Sequence, residues 1–93
     1  MTDAGYRIVV HGRVQGVGFR DWTRRTASAN GLSGWCRNRR DGTVEILVSG
    51  PQAAVEAFRE DVKEGPSAAH VEDIDVSESD ERFSGEFELR ATA

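Results

Sequence analysis

A change of hydrophobic period across a glycine-rich loop limits most strongly what this chain can fold into. Tyr6, Ile8 and Val10 alternate with Arg7, Val9 and His11, the two-residue period of a strand. From Phe19 onward, Phe19, Trp22, Thr26 and Ala29 recur at helical spacing, with Arg20, Arg24, Arg25 and Ser28 on other faces. Between the two periods lies "HGRVQGVGFR", residues 11–20, which holds three glycines. Asn30-Gly31 supplies a helix stop.

The remainder extends this alternation. "GWCRN", residues 34–38, predicts a short strand, and Asp41-Gly42 in "RRDGT" predicts a hairpin turn. Val44, Ile46 and Val48 alternate with Glu45, Leu47 and Ser49, as in a half-buried strand. Gly50-Pro51 opens a second helix with Pro51 in its first turn. Val55, Phe58 and Val62, helped by Ala54, line its buried face, and "EGP", residues 64–66, ends it. Val71, Ile74 and Val76 predict another strand, although Val71 is out of phase. "SESDER" reads as a solvated connection, and Phe83, Phe87 and Leu89 predict a last strand. Two helices with one apolar stripe each must cover one face of a mostly antiparallel sheet. The expected fold is α+β, a ferredoxin-like split βαβ sandwich: βαββαβ plus a short terminal strand. A chain of 93 residues supports one modest core, so residues 1–93 are expected to form a single domain.

Acidic residues number 16 against 12 basic ones, a net charge of -4, which opposes broad binding to a nucleic-acid backbone. The arginines nevertheless crowd between Arg7 and Arg40, while the second half is rich in Asp and Glu. A local anion site in the first half fits that asymmetry. Cys36 is the single cysteine, so no internal disulfide forms, which fits a reducing compartment. The amino terminus lacks a signal pattern and no stretch approaches a membrane span, so a cytoplasmic protein is expected.

The loop invites a chemical reading. Gly12, Gly16 and Gly18 allow unusual dihedrals and close approach of a ligand to the main chain. The loop runs into a helix N-terminus, where amides and the helix dipole favour an anion. Arg20 can bring a fork of donors to the same spot. From spacing alone, a tight turn with a solvated Arg20 is an equal alternative. The Walker pattern is absent, and the dinucleotide pattern fits poorly because the chain is too short for a doubly wound sheet. Asn38 closes the second strand on the same side as Cys36, where its amide could hold a water. A plain turn residue is the commoner role there. His11 and His70 read as strand-end residues, and with one cysteine they make no metal site. Trp22 and Trp35 read as packing residues, and "EDIDVSESDE" as a solvated acidic face.

"GRVQGVGFR", "GWCRN" and the following "DGTVE" resemble the two signatures of the acylphosphatase family. Gly12 to Arg20 fit the first at every fixed position, and Gly34 to Asn38 fit the second except that Cys36 replaces valine. The terminal "FELR" is also similar. The resemblance implies hydrolysis of the carboxyl-phosphate bond of acyl phosphates; no cofactor and no metal are expected, since no cluster of His, Cys or carboxylates sits at the loop. It implies a phosphate-binding stretch of Gly12, Arg13, Val14, Gln15, Gly16, Val17, Gly18, Phe19 and Arg20. It assigns Arg20 and Asn38 as catalytic, with Asn38 positioning the attacking water. Cys36 is expected to be a buried core residue without a catalytic part, and the trailing "ATA" to fray. The expected partners are a small acyl phosphate and inorganic phosphate, with no nucleic acid or membrane, in a monomer. The rivals are a non-catalytic anion-binding module and an RNA-binding one. The aromatic run that an RNA-binding sheet requires is absent from "TVEILVS". Acylphosphatase-like domains also occur inside larger carbamoyl-transfer maturation proteins.

Overall fold

The computed structural model describes residues 3–93. Its elements follow in the order β1 (Asp3–Arg13), α1 (Phe19–Ala29), β2 (Ser33–Asn38), β3 (Val44–Pro51), α2 (Gln52–Glu64), β4 (His70–Glu78) and β5 (Glu88–Leu89). The five strands form one sheet in the order β4-β1-β3-β2-β5. β1 runs antiparallel to both β3 and β4, β2 runs antiparallel to β3, and β5 pairs in parallel with β2. This is the expected ferredoxin-like sandwich. Among the described residues no helix is long and apolar enough to cross a membrane.

Alternation places the core. Ile8 pairs with Ile46 and Val10 with Val44 across β1 and β3, while Cys36 pairs with Ile46 across β2 and β3. All of these are fully buried, and Val55, Phe58 and Val62 of α2 close over the same core. In α1 the buried stripe is Phe19, Thr23 and Ala27. Thr26 and Ala29, expected inside, lie further out, and Trp22 is half-buried against Phe19, with ring centroids 5.5 Å apart. Thr23 can lie on the buried face because its hydroxyl donates to the Phe19 carbonyl at 2.8 Å. That bond satisfies its one polar atom and frees its methyl for the core.

Three further expectations change, and one irregularity finds its cause. Pro51 ends β3 and caps α2, with ψ 135°, because pairing with Asp3 carries the strand through it. The out-of-phase Val71 has a cause: pairing steps from His11↔Asp73 to Gly12↔Val71, leaving Glu72 as the extra residue of a bulge. His11 sits within β1 and not at its end, with Nε2 2.8 Å from Asp75 Oδ2. Of the predicted last strand only Glu88–Leu89 forms, since Phe87 turns into the core while Leu89 stays 42% exposed.

β3 departs most from its sequence pattern. Val44 to Ser49 are all buried, on both faces. The face away from the helices is covered by arginines. Glu45 accepts hydrogen bonds from Arg7 Nε and Arg37 Nε, both at 2.8 Å. Two guanidiniums lie over the Trp35 ring, Arg37 at 4.8 Å and Arg90 at 4.6 Å from its centroid. Long arginine stems shield apolar surface while their heads stay solvated.

Burial pushes the Glu45 carboxyl up, but the hydrogen bonds from Arg37 and Arg7 outweigh it and hold the group below the ordinary glutamate range. A carboxyl lowered by folding contributes stability that is full above its unfolded value and is lost as pH falls through its folded one. Urea midpoints should therefore fall between about pH 5 and about pH 3, and Glu45→Gln should remove part of that fall. Asp21, Asp41 and Glu60, held low first by hydrogen bonds from Arg24, Thr43 and Lys63, add to it. An unchanged slope in the variant would contradict this role.

A second prediction separates two glycines of the motif. A Cβ on Gly12 would run into the His70 carbonyl oxygen of β4, with the Glu72 nitrogen 2.8 Å away. On Gly16 it would meet nothing within 4 Å, and only its φ of 73° resists a side chain. Gly12→Ala should cost about 3 kcal/mol or more in chemical denaturation and Gly16→Ala about 1 kcal/mol. Equal losses would show that β4 yields to the added methyl.

Candidate active site

β1 keeps its partner β3 only as far as Val10, while β4 follows it to Arg13. The chain then leaves the sheet as the loop of residues 14–18 and enters α1 at Phe19. Two buried anchors, Val14 and Phe19, each 1% exposed, pin the ends of this loop to the core. Between them Gly16 and Gly18 take left-handed φ values of 73° and 79°, which L side chains resist. Gly18 is the N-cap of α1, and no side chain caps that terminus. The first-turn amides therefore lack the partner that Ser, Thr, Asp or Asn would supply, and they stand ready for an external acceptor.

Arg20 is the second residue of α1 and is half-buried. Its Nη1 lies 3.5 Å from the Arg90 carbonyl oxygen, at the outer limit of a hydrogen bond. The adjacent carboxylate, Asp21, is occupied by Arg24 at 2.7 Å and Arg25 at 3.0 Å. Among the described residues no carboxylate pairs with Arg20. A cleft of about 180 Å³ brings Gly16, Gly18 and Arg20 together with Asn38, and Leu89 and the paired Asp21 also line it. In a larger hollow of about 460 Å³ beside the far half of α1, Arg24 is already paired with Asp21, and Glu86 also lines it.

Asn38 is the last residue of β2, and its backbone is held from two sides. Its carbonyl accepts the Ala93 amide at 3.0 Å, and the next turn returns the favour: the Arg40 amide donates to the Ala93 carbonyl at 2.8 Å. The trailing Ala-Thr-Ala, expected to fray, thus continues the pairing that the Arg90 amide begins on the Cys36 carbonyl at 2.9 Å. Unpaired edge amides of β2 account for that order. On the other side, the Gln15 side-chain amide donates to the carbonyls of Arg39 at 2.6 Å and Thr43 at 2.9 Å. It ties the loop to the turn between β2 and β3.

Cys36 lies beneath the cleft, fully buried, with its Sγ 3.8 Å from the Arg20 carbonyl oxygen. Burial pushes its thiol up to about 12 despite the opposing charges of Arg20 and Arg24. At neutral pH it is a packed thiol and no nucleophile. Among the described residues no three His, Cys, Asp or Glu side chains converge as a metal set.

Of the residues that the sequence offered, Val14, Gly16, Gly18, Phe19, Arg20 and Asn38 meet at one cleft. Gly12 and Arg13 stay in β1, opposite Val71 and His70 of β4. Gln15 turns toward the hairpin, and Val17 packs against the core. Sequence reasoning missed the Gln15 tie, the tail on Asn38 and the exposure of Leu89. Only Gln15 carried a signal, as an amide inside a glycine loop.

The acylphosphatase family model matches residues 6–89. An acylphosphatase of Rhodopseudomonas palustris is 47% identical over 85 residues, which cover 86% of each chain. The crystal structure of the acylphosphatase from Bacillus subtilis superposes with a TM-score of 0.86 at 46% identity, covering 94% of this chain and 98% of that one. The structure of an acylphosphatase from Coxiella burnetii gives a TM-score of 0.90 at 31% identity, covering 95% and 93%. Both signature stretches fall inside the matched range, and on that agreement of sequence and fold the chain belongs to the acylphosphatase family.

Proposed function

We propose that this chain hydrolyses acyl phosphates to a carboxylate and inorganic phosphate, with the phosphoryl group held by the loop amides and Arg20 and the water positioned by Asn38. The observation that carries this reading is the uncapped N-terminus of α1 beside a cation without a carboxylate partner, facing Asn38 across one small cleft. Family membership supports the reaction, and the geometry supports the division of labour.

The chemistry asks little of the protein beyond placement and charge. A carboxylate leaves readily, so the leaving group needs no strong acid. Phosphoryl transfer spreads charge over the equatorial oxygens of the transition state. Amides at Gly16, Gly18 and the first turn of α1, together with the Arg20 fork, neutralise that charge. Asn38 holds the water in line with the bond that breaks. The water oxygen bonds to phosphorus, the carboxylate departs with the bonding pair, and a phosphoryl oxygen of the substrate takes the proton. The cleft is complete within one chain, so a monomer suffices. A reducing compartment, the cytoplasm, suits the single buried thiol.

The roles of Arg20 and Asn38 separate in kinetics. Arg20→Ala and Arg20→Lys should both lower the affinity for inorganic phosphate and cut kcat/KM for acetyl phosphate by about a hundredfold or more, because a point charge cannot replace the fork. Asn38→Ala should keep phosphate affinity within a few-fold while kcat falls by about a hundredfold. Calorimetry with phosphate, paired with steady-state rates on folded protein, reads both. Near-normal kcat in Asn38→Ala would return that residue to a turn-forming role, and full activity in Arg20→Ala would remove the proposed cation.

A further inference from the structure

We infer that Leu89 is the acyl-side contact of this cleft and makes the site prefer substrates with an apolar acyl group. The inference rests on the acyl-phosphate reading and concerns the part of the substrate that the loop and Arg20 do not hold.

Apart from the Asp21 carboxylate, which Arg24 and Arg25 occupy, the cleft divides into hydrogen-bond donors and apolar side chains. Its donors, the amides around Gly16 and Gly18, the Arg20 guanidinium and the Asn38 amide, suit the phosphoryl end and the attacking water. Three large apolar residues also border it: Val14, Phe19 and Leu89. Val14 and Phe19 are each 1% exposed, so they offer a ligand almost no surface. Leu89 is 42% exposed. It and Val76, on the edge strand β4, are the large hydrophobic residues that the described fold leaves most open to water. A leucine left open beside a phosphate-type site has surface to gain from a ligand.

Its position is fixed. Leu89 stands opposite Cys36 in the parallel pair of β5 and β2, and the next amide, that of Arg90, bonds the Cys36 carbonyl at 2.9 Å. The following carbonyl, that of Arg90, lies 3.5 Å from Arg20 Nη1. Leu89 is therefore held at a set place relative to the cation that grips the phosphoryl group. At about 180 Å³ the cleft is well below the range of about 300–1,000 Å³ that encloses drug-sized ligands. It takes in a phosphoryl group and leaves the acyl group to extend toward solvent, where Leu89, which lines the cleft and is exposed, is the apolar surface on offer. An aryl or alkyl group loses water on that contact, whereas a small or charged acyl group gains little.

The test compares benzoyl phosphate with acetyl phosphate, and reads competitive inhibition by inorganic phosphate. Leu89→Ala should lower kcat/KM for benzoyl phosphate by about 5- to 10-fold, through KM, the scale of losing a few methylene contacts at a half-open site. Acetyl phosphate should change by no more than about twofold, and the phosphate inhibition constant should not move. Leu89→Gln keeps the length of the side chain on β5 and removes its apolar surface, so it should show the same selective loss even if Leu89→Ala folds poorly. Leu89→Met should retain the preference. Parallel losses on both substrates, or no change on either, would overturn the inference while leaving the acyl-phosphate reading intact. A parent protein that hydrolyses neither substrate would remove both.

Discussion

Two hydrogen bonds from one side chain hold the two halves of this site together. β1 parts from β3 after Val10, and a gap opens where the loop leaves the sheet. The Gln15 amide spans it, donating to the Arg39 and Thr43 carbonyls of the turn that joins β2 to β3. Those carbonyls also accept the Gly42 and Arg39 amides, so the glutamine joins a turn that is already closed. Arg39 follows Asn38 directly. The cradle and the proposed water-positioning amide are thus braced against each other, and the tail through Ala93 braces Asn38 from the opposite edge. Preorganisation of this kind is what a reaction run on placement requires.

Charge is arranged by location, not by total. The chain carries a net charge of -4, yet Arg20 faces its cleft without a carboxylate partner among the described residues. Asp21 beside it is taken up by Arg24 and Arg25, and four acidic residues, Glu72, Asp73, Asp75 and Glu78, lie on β4 at the far edge of the sheet, where they also discourage pairing with another strand. Most other arginines are engaged. Arg7 and Arg37 clasp Glu45, Arg24 and Arg25 clasp Asp21, and Arg90 lies over Trp35. Arg20 is distinguished by its surroundings, since nothing in its side chain differs from its neighbours.

Much of this was legible in the sequence because it depends on local period. The apolar alternation of Tyr6, Ile8 and Val10, the turn at Asp41-Gly42 and the stripe Val55, Phe58 and Val62 each name an element without reference to its neighbours. What stayed hidden depends on partners far along the chain. The buried outer face of β3 needs Arg7 and Arg37 to arrive from two other strands. The phase of Val71 needs the bulge opposite Gly12. The order of the last three residues needs the open edge of β2. In the site, Arg20 and Asn38 were recognisable from their motifs. That Gly12 answers to β4 while Gly16 and Gly18 answer to the loop was not, because all three look alike in sequence.

The central claim is that the backbone between Val14 and Arg20 forms the anion cradle. Backbone amide spectra recorded while inorganic phosphate is added read that claim residue by residue. The account predicts saturable shifts concentrated at Gly16, Gly18, Phe19 and Arg20, with a smaller response at Asn38 and quiet amides along α2 and β4. Saturable shifts centred on the larger hollow around Arg24, Ser28 and Leu32, or no saturable shift at the loop, would contradict it.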